Sequence, residues 1–179
     1  MSINIPKNIL SMVFLTLYLA VMSNSHANSL KPYKGLPLPA FVLPGLSGQE
    51  FALDDQKGQV VLVNFWATWC PPCVKEMPSM QRLEESLSGR PFKLIAVNIG
   101  EDPDEIKEFL QRINVELTVV VDGDGTVTRS WELFAYPTTF LLDSQGHISQ
   151  VVYGEVEWDS AEVVALIESL MPESAKILK

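Results

Sequence analysis

Cys70 and Cys73 are the only two cysteines in this 179-residue chain, and they sit in Trp69-Cys70-Pro71-Pro72-Cys73. They follow directly on the apolar run Val60-Val61-Leu62-Val63-Asn64-Phe65-Trp66. A Cys-x-x-Cys pair that ends a buried strand and opens a helix has the geometry of a dithiol redox switch. Such a switch needs one thiol that is nucleophilic near neutral pH and a second within reach to resolve the mixed disulfide. Cys70 falls at the predicted helix N-terminus, where unpaired N–H groups and the helix dipole stabilise a thiolate. Cys73 lies one turn along, as the resolving thiol. Pro71 and Pro72 remove two backbone donors and stiffen the intervening loop. The alternative of a purely structural disulfide gains little, because so short a loop restrains the unfolded chain weakly.

A structural zinc site needs four ligands, and the only histidine outside the N-terminal segment is His147 in a predicted surface hairpin. Copper held by two thiolates and one imidazole is satisfied by count but not by that placement. No metal and no cofactor is therefore assigned. Asp122-Gly123-Asp124-Gly125 fails the EF-hand spacing and reads as a tight turn. Glu76 follows Cys73 by three residues, on the same face of a helix. Its carboxylate either accepts a proton from Cys73 or is a solvated first-turn acid, and spacing alone does not choose. Pro137 opens the predicted strand Thr138-Thr139-Phe140-Leu141-Leu142, an unusual place for proline. A cis Tyr136–Pro137 bond would set a free backbone edge beside the cysteines, but most X–Pro bonds are trans.

The elements that must position these groups follow from pattern. Residues 60–66 read as a strand buried on both faces. Val74, Met77, Met80, Leu83 and Leu87 have helical spacing, with a kink expected near Met77 because of Pro78. A hairpin spans residues 40–53 around Gly45, Ser47 and Gly48. Residues 92–99 form a second buried strand. Asp102-Pro103-Asp104-Glu105 starts a helix with Ile106, Phe109, Leu110 and Ile113 along one stripe. Residues 117–121 form a third strand, 126–134 a short helix, and 138–142 with 147–153 a hairpin. Asp159-Ser160-Ala161-Glu162 caps a final helix. The order describes an α/β layer, a central mixed sheet flanked by helices.

Domain organisation is simple. Residues 1–27 read as an export signal: Lys7, an apolar run over residues 9–22, then Ser25-His26-Ala27 as a cleavage signature. The run is short of the roughly 20 residues that span a bilayer, so cleavage after Ala27 is expected, with membrane association only if the segment stays attached. Export places the chain in the periplasm, where a disulfide persists. Residues 28–39 form an extended linker, 40–172 one domain, and 173–179 a fraying tail. A composition of 47% hydrophobic and 20% charged residues suits a packed globule. The net charge of −9 argues against a nucleic-acid partner.

The segment from Val61 through Cys73, Lys75-Glu76-Met77-Pro78, and Tyr136-Pro137-Thr138-Thr139-Phe140-Leu141-Leu142-Asp143 together resemble the exported thioredoxin-like thiol–disulfide oxidoreductases of the TlpA/ResA group, relatives of the cytochrome c maturation reductases. The resemblance covers roughly residues 40–171. It implies a thioredoxin-like fold with an N-terminal β-hairpin and a central insertion near residues 102–121. It implies that Cys70 attacks, Cys73 resolves, Glu76 is an active-site acid and Pro137 is the cis proline. Trp69, Pro71, Pro72 and Tyr136 become the substrate-binding surround. Asn64 stands where cytosolic thioredoxins carry a buried Asp. The implied activity is reduction of disulfide-bearing protein substrates, apocytochrome c among the candidates, with re-reduction by a membrane dithiol donor. An oxidase of the same fold, a copper-delivery protein using the same dithiol, and a peroxidase are the alternatives. Two features depart from the group: the cleavable signal, and Phe134-Ala135-Tyr136 where many members have a Gly.

Overall fold

The computed structural model describes residues 30–173. The expected signal and its cleavage point, and all of the expected tail but Glu173, lie outside that range. The strands are β1 (Lys31–Pro32), β2 (Val42–Pro44), β3 (Glu50–Ala52), β4 (Val60–Trp66), β5 (Phe92–Ile99), β6 (Val119–Asp122), β7 (Thr138–Leu142) and β8 (Ile148–Tyr153). The helices are α1 (Pro71–Ser86), α2 (Pro103–Ile113), α3 (Thr126–Ser130) and α4 (Ala161–Leu170), with a 3-10 turn at Leu53–Gln56.

Strand β4 is buried along its whole length, as its unbroken apolar run requires. It lies at the centre of a six-stranded mixed sheet of order β1-β8-β7-β4-β5-β6. It runs parallel to β5 and antiparallel to β7. Side chains alternate across it. Val61, Val63 and Phe65 face the N-terminal hairpin, in a cluster with Phe41, Leu43, Phe140 and Trp131. The Trp131 ring meets Phe140 edge-on at 5.0 Å, and its Nε1 donates to the Pro39 carbonyl at 3.0 Å, seating the chain ahead of β2. Val60 and Leu62 face Met80 and Leu83 of α1, Ile167 of α4, and Trp158. Each such fully buried large side chain stabilises the fold by roughly 1.5–3 kcal/mol. Asn64 shares the helix-facing side with Leu62, so a polar group in an apolar run is aimed at α1.

The hairpin β2–β3 forms as expected, and its Gly45 bridges Val120 of β6. That contact covers an otherwise open sheet edge. The segment expected as a bare linker carries β1, which pairs Lys31 with Val151 and Pro32 with Gln150 on the opposite edge. Helix α1 continues through Pro78 as one element. Helix α3 stops at Ser130, four residues short of the expected end. Asp102 caps α2, accepting from the amides of Asp104 and Glu105. The expected cap of α4 does not form: Ser160 makes no side-chain bond there, and Asp159 is taken by Arg82 of α1 at 2.5 Å. A tertiary ion pair outcompetes the local cap. Asp122 accepts from the amides of Val127 and Thr128, so the Asp-Gly-Asp-Gly segment is the turn that starts α3.

Candidate active site

Parallel strands deliver their C-terminal ends to one side of a sheet, and β4 and β5 do so here in register, Trp66 beside Asn98. The loop after β4 carries Trp69 outward and returns at Cys70, the N-cap residue of α1. The Cys70 amide donates to Ala67 O at 3.2 Å, and its carbonyl accepts from Val74 N at 3.1 Å. Pro71 and Pro72 occupy the first two helical positions, so the first N–H the helix offers is that of Cys73. Cys70 and Cys73 are joined in a disulfide with Cα atoms 5.3 Å apart. The pair sits in an apolar cluster with Trp66, Ala67, Met77, Ile106 and Leu110, leaving Cys70 only 5% exposed.

Tyr136–Pro137 is a cis peptide, and the Pro137 carbonyl accepts from Gly154 N at 2.8 Å. The Tyr136 ring meets the exposed Trp69 edge-on, with centroids 6.3 Å apart. Pro71 is exposed and Pro72 half-buried. The sequence-expected surround thus gathers around the disulfide at one end of the sheet. His147 lies at the other end, because β7 runs antiparallel to β4 and Leu142 pairs with Val61. A ligand set of both cysteines and His147 is not assembled.

Glu76 is buried, with 2% of its surface exposed, which removes the reading of a solvated first-turn acid. It shares the inward face of α1 with Cys73, Met80 and Leu83. Its Oε1 accepts from Asn64 Nδ2 at 2.7 Å. Its Oε2 accepts from Val156 N at 3.1 Å and from Trp158 Nε1 at 2.9 Å. Burial pushes the carboxyl up to about 7, while the three donors pull it back down. Asn64 Nδ2 also donates to Thr139 Oγ1 at 2.8 Å, so both its hydrogens are used. Asn64 Oδ1 is buried without a partner. Ser79, one turn along, donates to Glu76 O and accepts from Trp158 N, so the β8–α4 connection is tied to α1 at several points.

A second carboxylate was not singled out by sequence reasoning. Glu101, just past β5, accepts from Thr68 N at 2.8 Å and from Asn98 Nδ2 at 2.6 Å, and also from the Thr68 hydroxyl. Its own amide donates to Asn98 Oδ1 at 3.3 Å. Thr68 stands two residues before Cys70, so Glu101 pins the loop that presents the sulfur. The available signal was topological: an acid directly after the parallel neighbour of β4 must emerge beside the loop that follows β4.

Comparison with known proteins agrees with this geometry. The Redoxin family profile matches residues 33–167. The chain is 35% identical over 138 residues to the thiol-disulfide oxidoreductase ResA of Geobacillus kaustophilus, covering 77% of this chain and 78% of that protein. It is 35% identical over 139 residues to ResA of Bacillus subtilis, covering 78% and 75%. Among solved structures, a thiol:disulfide interchange protein of the thioredoxin family from Chlorobium tepidum superposes with a TM-score of 0.64 at 25% identity, covering 76% of this chain and 99% of that one. StoA from Bacillus subtilis superposes at 0.61 with 27% identity, covering 75% and 98%. The fold is thioredoxin-like, and the chain belongs to the Redoxin family as a thiol–disulfide oxidoreductase of the TlpA/ResA type.

Proposed function

We propose that this protein reduces disulfides in partner proteins of the periplasm, with Cys70 as nucleophile, Cys73 as resolving thiol and Glu76 as the proton acceptor for Cys73. The observation that carries the reading is a Cys-x-x-Cys pair at a helix N-terminus with a buried carboxylate next on the same helix face. In the reduced protein, the Cys70 thiolate attacks one sulfur of the substrate disulfide and expels the other as a thiolate. Glu76 takes the Cys73 proton. The Cys73 thiolate then attacks Cys70 Sγ and releases the second substrate thiolate. Two electrons pass from the dithiol to the substrate, and a Cys70–Cys73 disulfide remains. Thr68, held by Glu101, fixes the loop from which Cys70 attacks. Trp69, Pro71, Pro72, Tyr136 and Pro137 form the rim against which the substrate chain lies.

A protonated Glu76 needs an acceptor for its O–H. Rotation of the Asn64 amide brings the unpartnered Oδ1 into that place, and the Thr139 hydroxyl can then donate to Oδ1 instead of accepting. The orphaned acceptor is thus used in one protonation state and idle in the other. A raised carboxyl near 7 is matched to proton transfer at neutral pH.

Regeneration requires a dithiol donor, and the expected one is a membrane electron-transfer protein. The periplasmic assignment rests on the N-terminal segment; among the described residues no helix is long and apolar enough to cross a membrane. Apocytochrome c, whose haem-binding cysteines must be reduced before ligation, is the substrate class to test first. The test is trapping with Cys73→Ala: partner proteins disulfide-linked to Cys70 are expected, and an empty trap in the native compartment would sink the proposal. A reduction potential above about −150 mV would reverse the direction and make the protein an oxidase.

A further inference from the structure

Beyond the rim already described, two aromatic side chains lie open to solvent without a role. Phe134 is 76% exposed and Tyr153 41% exposed, and their rings face each other with centroids 4.8 Å apart and planes tilted by 33°. Large apolar rings in mutual contact on a strongly acidic surface are an unfavourable use of area unless something covers them. Their position is set by strand register. Thr138 of β7 pairs with Phe65 of β4 on one side and with Tyr153 of β8 on the other. Tyr153 therefore stands in the row of the sheet that ends beside the dithiol loop, two strands across, or roughly 10 Å. Phe134 is two residues from Tyr136, whose ring touches Trp69 beside Cys70. The pair continues the dithiol surface sideways along the sheet end.

We propose that Phe134 and Tyr153 together form a docking site for one apolar side chain of the disulfide-bearing substrate, carried on an extended segment that flanks the cysteine that Cys70 attacks. The inference rests on the protein-disulfide reading above and adds a specificity site to it. The covering of Cys70 defines the occupant. Cys70 is nearly covered, so a thin extended chain reaches its sulfur where a folded surface does not. An extended chain presents successive side chains about 3.3 Å apart, so residues flanking the attacked cysteine fall along the same end of the sheet as the pair. A membrane surface is the less favoured occupant, because a net charge of −9 opposes approach to anionic lipid.

The experiment uses the reduced protein and single-cysteine peptides carried as mixed disulfides with thionitrobenzoate, whose release is coloured. One set of peptides carries a single Leu at each position from two to five residues on either side of the cysteine, and a matched set has Ser there. Ellman's reagent serves as the small disulfide. The expected second-order rate constant is about tenfold higher for the Leu peptide than for its Ser match at one position or at neighbouring ones. Phe134→Ser and Tyr153→Ser each erase most of that ratio, Phe134→Leu restores part of it, and all three react with Ellman's reagent at the wild-type rate. No preference in the wild type, or an equal loss on Ellman's reagent, would overturn the docking site. So would Phe134-dependent binding to phosphatidylcholine–phosphatidylglycerol vesicles with no peptide preference. If the wild type fails to react even with Ellman's reagent, the reductase reading itself falls, and the docking site with it.

Discussion

Glu76 and Glu101 both present a carboxylate to the surroundings of the dithiol, one from inside α1 and one from the end of β5. Glu76 is fully buried, faces three donors and opposes an amide whose oxygen has no partner. Glu101 is half-buried and accepts from the backbone and hydroxyl of Thr68 and from Asn98. The contrast separates two tasks. A carboxylate that must gain and lose a proton is placed where desolvation outweighs its hydrogen bonds enough to lift it to about 7. A carboxylate that must hold a loop sits half-buried at the end of a strand, and the geometry does the holding. Disturbing each in turn tests whether that division is real.

The largest expected effect is on stability as a function of pH. Glu76 has a folded-state value of about 7 against 4.5 for an ordinary carboxyl, so the folded protein binds this proton more tightly than the unfolded chain. Its contribution is fully present below about pH 4.5 and is lost as pH rises to about 7, for a total of about 3 kcal/mol. Subtracting the urea-unfolding profile of Glu76→Gln from that of the wild type isolates this group. Gln mimics the protonated side chain: with the Asn64 amide rotated, its Nε2 donates to Oδ1 and its Oε1 accepts from Val156 and Trp158. A difference profile that is flat between pH 4.5 and 7 would break the account of Glu76.

Glu76→Gln also removes the proton acceptor. Turnover on a disulfide peptide at pH 7 should fall on the order of a hundredfold, the usual scale for loss of a general base. The first step should survive, so a mixed disulfide at Cys70 accumulates and is visible by mass spectrometry. Wild-type turnover with no accumulation would place the proton acceptor elsewhere.

The next effect in size tests the other carboxylate. Glu101→Ala frees Thr68 and Asn98 and should cost about 2 kcal/mol, as loss of charge-assisted hydrogen bonds does. Alkylation of Cys70 in the reduced protein should change several-fold, because the loop that presents the sulfur is no longer pinned. The pH midpoint of the resolving step should stay where it is in the wild type, and Glu101→Gln should recover most of the loss. A midpoint that moved with Glu101 would erase the distinction between the two acids.

What could be read from the chain depended on how far apart the partners lie. The dithiol, the buried run of β4, both hairpins and the Asp102 cap are local patterns, and the structure contains each of them. Glu76 stayed ambiguous because two of its three donors, Val156 N and Trp158 Nε1, come from about 80 residues away. Glu101 went unseen because its bond to Thr68 crosses 33 residues and depends on the parallel register of β4 with β5. Strand β1 is two residues long and contains a proline, so no periodicity announces it. The α4 cap failed for the same long-range reason: Arg82, 77 residues earlier, claims Asp159. Asn64 shows the limit most clearly. A polar residue in a buried strand signals a polar partner, but only the packed helix says which one.

The smallest expected effect sharpens that last point. Thr139 Oγ1 is the second acceptor for Asn64 Nδ2, and it is also the donor that a rotated amide would use. Thr139→Val keeps the shape and removes both functions. Stability should drop by about 1 kcal/mol, the net worth of one buried hydrogen bond. The informative readout is the pH at which Glu76 titrates, followed by difference infrared spectroscopy of its carboxyl stretch. Without the Thr139 hydroxyl, the unrotated amide is left with a buried N–H that has no acceptor, whereas the rotated Oδ1 still accepts from Glu76, so the ionised state loses more and the midpoint should move up. A midpoint that does not move would mean that the amide stays in place, and that the idle Oδ1 takes no part in storing the proton.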